Sequence, residues 1–119
     1  MKYDPAKAPD PEKWNALNEA ERLSDIESSH KKNMPQLRLH AAIHLVVENQ
    51  AALGDETPVQ QTLDRLQEEG LDRHDAIHAI GSILAEHLHG IMTDGGNGDV
   101  NEEYFSRIKM LTAEAWRNS

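Results

Sequence analysis

Apolar residues recur along this chain at intervals of three and four positions, the spacing that aligns side chains on one face of an α-helix. One series runs through Val59, Leu63 and Leu66. The longest series has five members: Ile77, Ile80, Leu84, Leu88 and Ile91. The alternation typical of a β-strand appears nowhere in the sequence. The pattern predicts an all-α fold, a single bundle-like domain of roughly five to six helices.

Capping signals predict where the first two helices begin. Asp10 followed by Pro11 is typical of a helix start, because aspartate caps the exposed amides and proline suits the first helical position. Asn18 and Glu21 have the three-residue spacing of a capping box. A second helix therefore begins there and runs toward His30.

The most apolar part of the sequence is residues 35–53. Apolar residues fall on nearly every side of a helix drawn through this segment, so we predict a central helix surrounded by others. Gly54 follows in a position typical of a helix end. Thr57 and Pro58 then supply the cap and first position of another helix, which stops at Gly70.

A long helix is predicted over about residues 73–91. Gly81 belongs to a stripe of small residues on this helix and permits close approach of a neighbour, although glycine within a helix costs about 1 kcal/mol relative to alanine. Residues 93–99 are rich in glycine and aspartate, which predicts a loop. One last helix begins at Asn101, and its packing side extends to Trp116.

The length and composition indicate one small domain. Because the chain has only 119 residues, we assign residues 11–119 to a single helical domain. The polar residues 1–10 are assigned to a flexible or surface-laid arm. Aromatic residues make up only 4% of the chain, so aliphatic side chains must form most of the core. There is no cysteine, and any bound metal must therefore have nitrogen and oxygen ligands.

The net charge of the chain indicates which binding partners it repels. Twenty-one acidic and twelve basic residues give a formal net charge of −9, which repels nucleic acid and anionic membranes. The first ten residues lack the apolar run of a signal peptide, and no stretch approaches the roughly 20 apolar residues of a membrane span. We expect a cytoplasmic protein. The apolar stripe of residues 57–92 is long enough that a homodimer is a further expectation.

Histidines in helical register are the main chemical feature. His40 and His44 are four positions apart, Glu48 lies four beyond them, and His74 and His78 repeat the interval. Residues four apart on a helix have Cβ atoms about 5–6 Å apart, so their side chains converge on one point. Helical bundles hold metal ions in this way. The spacing predicts a His/Glu site on two central helices for a divalent transition metal: zinc, iron, nickel or manganese.

Other histidines are weaker candidates. His30 ends the second helix, three residues after Glu27, and is a further candidate ligand. Glu86 and His89 have the same spacing, which di-iron bundles use, but such sites need paired carboxylates from other helices. We expect Glu86, His87 and His89 to lie on a surface face of their helix.

A second interpretation gives the histidines a structural role. A buried neutral imidazole can bond a carbonyl or carboxylate, and the chain is then a non-catalytic helical interaction module. The spacing is also similar to the ligand pattern of hemerythrin, but that pattern spans four helices, whereas His74, His78 and His89 share one helix here. Burying several imidazoles without partners costs free energy, which favours the metal interpretation.

The sequence leaves open whether the chain is an enzyme. It contains no Ser-His-Asp order, glycine-rich phosphate loop or His-Glu-x-x-His motif. If the chain is an enzyme, its reaction class is metal-assisted hydrolysis or oxygen chemistry, with Glu48 as a general base. Arg73 is a candidate partner of Glu48, while Asp75 complements the helix dipole.

Three strings resemble those of a group of small bacterial proteins that share a domain of unknown function. They are WNALNEAER at 14–22, HAAIHLVVENQ at 40–50 and EGLDRHDAIHAIG at 69–81. The resemblance covers about residues 11–92 and brings no established activity. It implies an all-helical fold and emphasises six positions: His40, His44, Glu48, Asn49, His74 and His78.

Overall fold

The computed structural model describes residues 3–29, 37–94 and 100–118. Within these ranges the chain is helical, as predicted, and contains no strand. A short 3₁₀ turn, Gly54–Glu56, joins the third helix to the fourth. No helix in these ranges is both long enough and apolar enough to cross a membrane. The α-helices are α1 Pro11–Ala16, α2 Glu19–Ser28, α3 Leu37–Ala52, α4 Val59–Glu68, α5 Arg73–Asp94, α6 Val100–Met110 and α7 Ala113–Arg117.

The caps predicted for the first two helices are both present. The Asp10 side chain accepts a hydrogen bond from the Glu12 amide at 3.0 Å. Asn18 and Glu21 cap each other, with side chain to amide distances of 2.8 and 3.0 Å. These bonds satisfy amides that a helix start leaves without partners, so α1 and α2 begin where the sequence predicts.

Helix α3 is central because it contributes to two cores. It packs against α1, α2, α4 and α5, which fits its apolar residues on nearly every side. The larger core includes the fully buried side chains of Val47, Leu63, Leu66, Ile77, Ile80 and Ile108. The smaller core contains Tyr3, Trp14, Ile26 and Ala41.

The predicted stop of α4 at Gly70 is also present. This residue has a φ of 107°, a conformation that glycine adopts without a Cβ penalty. The Leu71 amide donates to the Leu66 carbonyl at 3.1 Å, and the Gly70 amide donates to the Gln67 carbonyl at 3.0 Å. The turn ends α4 and leads within a few residues into α5, which packs against it.

The prediction of one last helix over residues 101–116 is wrong, because the structure divides this segment into α6 and α7. Thr112 has extended backbone angles, and its hydroxyl accepts a hydrogen bond from the Ala115 amide. The carboxylate of Glu69, at the end of α4, accepts from the Ala113 amide at 2.8 Å. A threonine cap and a carboxylate together stabilise a new helix start here.

In the described part of the N-terminal segment, predicted as a flexible or surface-laid arm, two residues contact the helices. Tyr3 is only 2% exposed and packs against Trp14, with ring centroids 5.9 Å apart. The carbonyl of Pro5 accepts a hydrogen bond from Arg73 at 3.0 Å. These contacts hold the segment against α1 and the start of α5.

Helices α3 and α5 approach closely at Gly81, where the sequence predicts a stripe of small residues. A Cβ atom placed on Gly81 would lie 2.7 Å from Cγ2 of Ile43. That is too short for two carbon atoms that are not bonded to each other. The spacing of the two helices at this point therefore requires a residue without a side chain.

Replacing Gly81 by alanine is expected to lower the free energy of unfolding by about 1 kcal/mol. Overpacking costs about 1–3 kcal/mol, and the better helix propensity of alanine returns up to about 1 kcal/mol. Ile43 is β-branched and stiff, so it does not turn away easily. Denaturant unfolding measures the change, with exposed Ser82→Ala as the matched control. A Gly81→Ala variant more stable than the parent would contradict this account of the helix contact.

Candidate metal centre

Helices α3 and α5 bring four histidines together. His40 and His44 lie one turn apart on α3, and His74 and His78 lie one turn apart on α5. One ring nitrogen from each of the four lies within 4.8 Å of the other three. The structure thus gathers the two His-x-x-x-His pairs that the sequence predicts as ligands.

The four rings form a cluster at the edge of the core. The Nε2 atoms of His40 and His78 are 3.3 Å apart. Ring centroids of His74 and His78 are 4.3 Å apart, and those of His44 and His74 are 5.2 Å apart. His44 is fully buried and the other three are partly exposed. His44 is therefore the innermost member, and the cluster opens toward the surface on its other side.

Glu48 lies one turn beyond His44 but outside the cluster of four. Its carboxylate is 1% exposed and accepts two hydrogen bonds from Arg73, at 2.7 and 2.8 Å. The Tyr3 hydroxyl donates to the same carboxylate at 2.6 Å. The Arg73–Glu48 pair considered from the sequence is present. The structure assigns Glu48 to this pair, beside the histidines, instead of the ligand position that the sequence also allows.

The hydrogen bonds and charges around Glu48 keep Arg73 positively charged and Tyr3 neutral at neutral pH. Burial opposes the charge on Arg73, but the hydrogen bonds and negative charge of Glu48 outweigh it and raise the pKa of Arg73. Burial, reinforced by the charge of Glu48, raises the pKa of Tyr3 far above that of a free phenol. Both oxygens of Glu48 are engaged, so the geometry does not support the general-base role considered for it.

Tyr3 contacts this group of residues, although the sequence did not predict it. Its hydroxyl lies 3.1 Å from Nδ1 of His44 as well as 2.6 Å from Glu48. Its ring meets the ring of His44 edge-on, with centroids 6.1 Å apart. Tyr3 is the one aromatic residue among the first ten, and this is the only signal in the sequence that could have singled it out.

The remaining sequence candidates within the described residues lie apart from this cluster. His30 falls outside the described residues. Glu86 and His89 are exposed, as expected. The prediction that His87 lies on a surface face is wrong. His87 is 9% exposed, and its ring stacks against the ring of Tyr104 with centroids 6.0 Å apart. The position of His87 follows from the packing of α6 on α5, which helical periodicity in α5 alone does not reveal.

Two amides after Glu48 fix α3 against its neighbours. Asn49 accepts hydrogen bonds from the indole of Trp14 at 3.0 Å and from Arg22 at 2.8 Å. Gln50 accepts one from the hydroxyl of Tyr104 at 2.9 Å. These bonds tie α3 to α1, α2 and α6, and so hold the helix that carries His40 and His44.

The fold and site define an all-helical protein with a histidine cluster between two central helices. Over residues 8–110 the chain matches the family described as a domain of unknown function, DUF1841, and it belongs to that family. The match confirms the resemblance noted in the sequence and extends it through α6. It includes the four histidines, Glu48 and Arg73, and it begins after Tyr3. Neither a curated protein nor a solved structure matches the chain.

Proposed function

We propose that this protein binds one divalent transition-metal ion between α3 and α5. The ligands are the imidazoles of His40, His44, His74 and His78, and the convergence of their nitrogens within 4.8 Å carries the proposal. A tetrahedral ion with bonds of about 2.0–2.1 Å needs neighbouring nitrogens about 3.4 Å apart. His40 and His78 are already 3.3 Å apart. The other pairs need to close by at most about 1.4 Å.

The donor atoms narrow the choice of ion. Imidazole nitrogen suits zinc, iron and nickel, whereas manganese favours carboxylate, carbonyl and water oxygen. Glu48 is not part of the proposed ligand set, because its oxygens accept hydrogen bonds from Arg73 and Tyr3. We therefore propose zinc, iron or nickel, and not the manganese that the sequence also allowed.

The number of proposed ligands favours a site that holds a metal ion over a site that catalyses hydrolysis. Structural zinc sites have four protein ligands, while catalytic zinc sites have three and keep the fourth position for water or substrate. Four imidazoles fill a tetrahedral ion. Hydrolysis or oxygen chemistry would need an ion of higher coordination number, which leaves positions open beside the histidines.

Elemental analysis of protein purified without a histidine tag tests the proposal. After exchange into zinc and removal of excess metal, we expect about one ion per chain in the parent. His78→Ala is expected to lose it, because one of four ligands is gone. His89→Ala is the control, since His89 is exposed on the same helix and outside the cluster. Absence of stoichiometric metal in the parent, with zinc, iron and nickel each tried, would refute the proposal.

The second candidate is a helical interaction module whose histidines fix the packing of α3 on α5. It is favoured by the Nε2 atoms of His40 and His78, whose 3.3 Å separation also permits a direct hydrogen bond. In that case His44→Ala lowers stability without altering metal content. The homodimer expected from the sequence stays a prediction, and light scattering is the measurement that decides it.

A further inference from the structure

The hydroxyl of Tyr3 lies between two acceptor-capable groups of α3. It is 2.6 Å from Oε2 of Glu48 and 3.1 Å from Nδ1 of His44. Tyr3 is 2% exposed, Glu48 is 1% exposed and His44 is fully buried, so solvent does not compete for these bonds. The three side chains and Arg73 therefore constrain where the proton of the Tyr3 hydroxyl lies.

A phenol has one proton to donate, and Glu48 is the group that must receive it. Arg73 donates two hydrogen bonds to Glu48 and holds it as a carboxylate, which can only accept. If Tyr3 donated to His44 instead, two oxygens would face each other at 2.6 Å with no proton between them. With its proton directed at Glu48, the Tyr3 oxygen can only accept a hydrogen bond from Nδ1–H of His44, because an unprotonated Nδ1 would place a lone pair against it at 3.1 Å.

We propose that Tyr3 is a positioning residue that holds His44 as the tautomer with its proton on Nδ1. A neutral imidazole carries one ring proton, so Nε2 of this tautomer has the lone pair that a metal needs. Nε2 of His44 is fully shielded from solvent. Tyr3 thereby selects Nε2 as the ligand atom of His44. The tautomer follows from hydrogen bonds alone, while the ligand assignment rests on the proposed function.

The chain contains a matched control for this role. Tyr104 is 1% exposed, and its hydroxyl also donates to a side chain of α3, Gln50, at 2.9 Å. Among the described residues, the hydroxyl of Tyr104 bonds Gln50 and no histidine of the cluster. Tyr3→Phe and Tyr104→Phe therefore remove the same atom from two buried tyrosines, and only the first removes it from His44.

The experiment combines two measurements on the full chain. Long-range ¹H–¹⁵N NMR of metal-free protein reports which nitrogen of His44 carries the proton, and competition with a chromophoric chelator reports zinc affinity. We expect Nδ1–H in the parent and in Tyr104→Phe, and loss of that tautomer in Tyr3→Phe. Tyr3→Phe is also expected to bind zinc about 10–100-fold more weakly, the usual effect of losing a group that orients a metal ligand. Tyr104→Phe should leave zinc affinity unchanged.

The outcomes separate this inference from the proposed function. An Nε2–H tautomer of His44 in the parent overturns the inference, whether or not Tyr3→Phe folds. Equal zinc affinity in the parent and Tyr3→Phe overturns the ligand assignment. If no variant binds zinc but Nδ1–H is lost only in Tyr3→Phe, the positioning role of Tyr3 stands and the proposed metal centre fails.

Discussion

Replacing Arg73 by methionine is expected to lower the free energy of unfolding by about 3–5 kcal/mol. Methionine keeps much of the length of the side chain but removes both hydrogen bonds to Glu48. The carboxylate then stays 1% exposed with no positive partner in place of Arg73. Domains of this size have total stabilities of about 5–15 kcal/mol, so denaturant unfolding will show a large effect.

The control is Arg107→Met, which removes an arginine paired with Glu86 on the surface. Those two side chains are 39% and 69% exposed, and exposed pairs contribute about 1 kcal/mol or less. The double variant Arg73→Met/Glu48→Leu should recover much of the loss, because it leaves no buried charge. A loss in Arg73→Met no larger than in Arg107→Met would show that the buried pair does not contribute as described.

Adding zinc at about 100 times its dissociation constant is expected to raise the free energy of unfolding by about 2.7 kcal/mol. For a domain of this size the melting temperature then rises by roughly 10 °C. His78→Ala is expected to reduce that rise strongly at the same zinc concentration. Structural zinc sites supply about 10–16 kcal/mol, so one of four ligands is worth roughly 3 kcal/mol, about a hundredfold in affinity. Scanning calorimetry with and without zinc measures both values.

His89→Ala is the matched control for this second result and should keep the full rise. The comparison matters because a chain of net charge −9 attracts cations to its surface without a specific site. An equal rise in the parent and in His78→Ala would place the bound zinc elsewhere. No rise in the parent would support the structural role of the histidines.

Local signals predicted the parts of the molecule that depend on neighbours in sequence. The caps at Asp10 and Asn18 and the stop at Gly70 each use residues within a few positions of one another. The two His-x-x-x-His pairs follow from the same helical geometry. All-helical folds are accessible in this way, because the hydrogen bonds that define them are local.

Contacts between distant residues were the parts that the sequence could not specify. Tyr3 meets His44 and Glu48 across 41 and 45 positions, and nothing in the composition of the first ten residues selects that pairing. The break between α6 and α7 depends on Glu69, which is 44 positions from Ala113. Tertiary hydrogen bonds of this kind override the local pattern, which favoured one continuous helix.

The four histidines of the cluster belong to two long helices, and this determines when their side chains lose conformational freedom. Helices α3 and α5 are 16 and 22 residues long, pack against each other and both contribute apolar side chains to the larger hydrophobic core. Most of the entropy cost of bringing the rings together is therefore met when the core forms, before any ion arrives. In a zinc finger, by contrast, metal binding and folding are one event. Here an ion would enter a preorganised centre in a chain that is already folded.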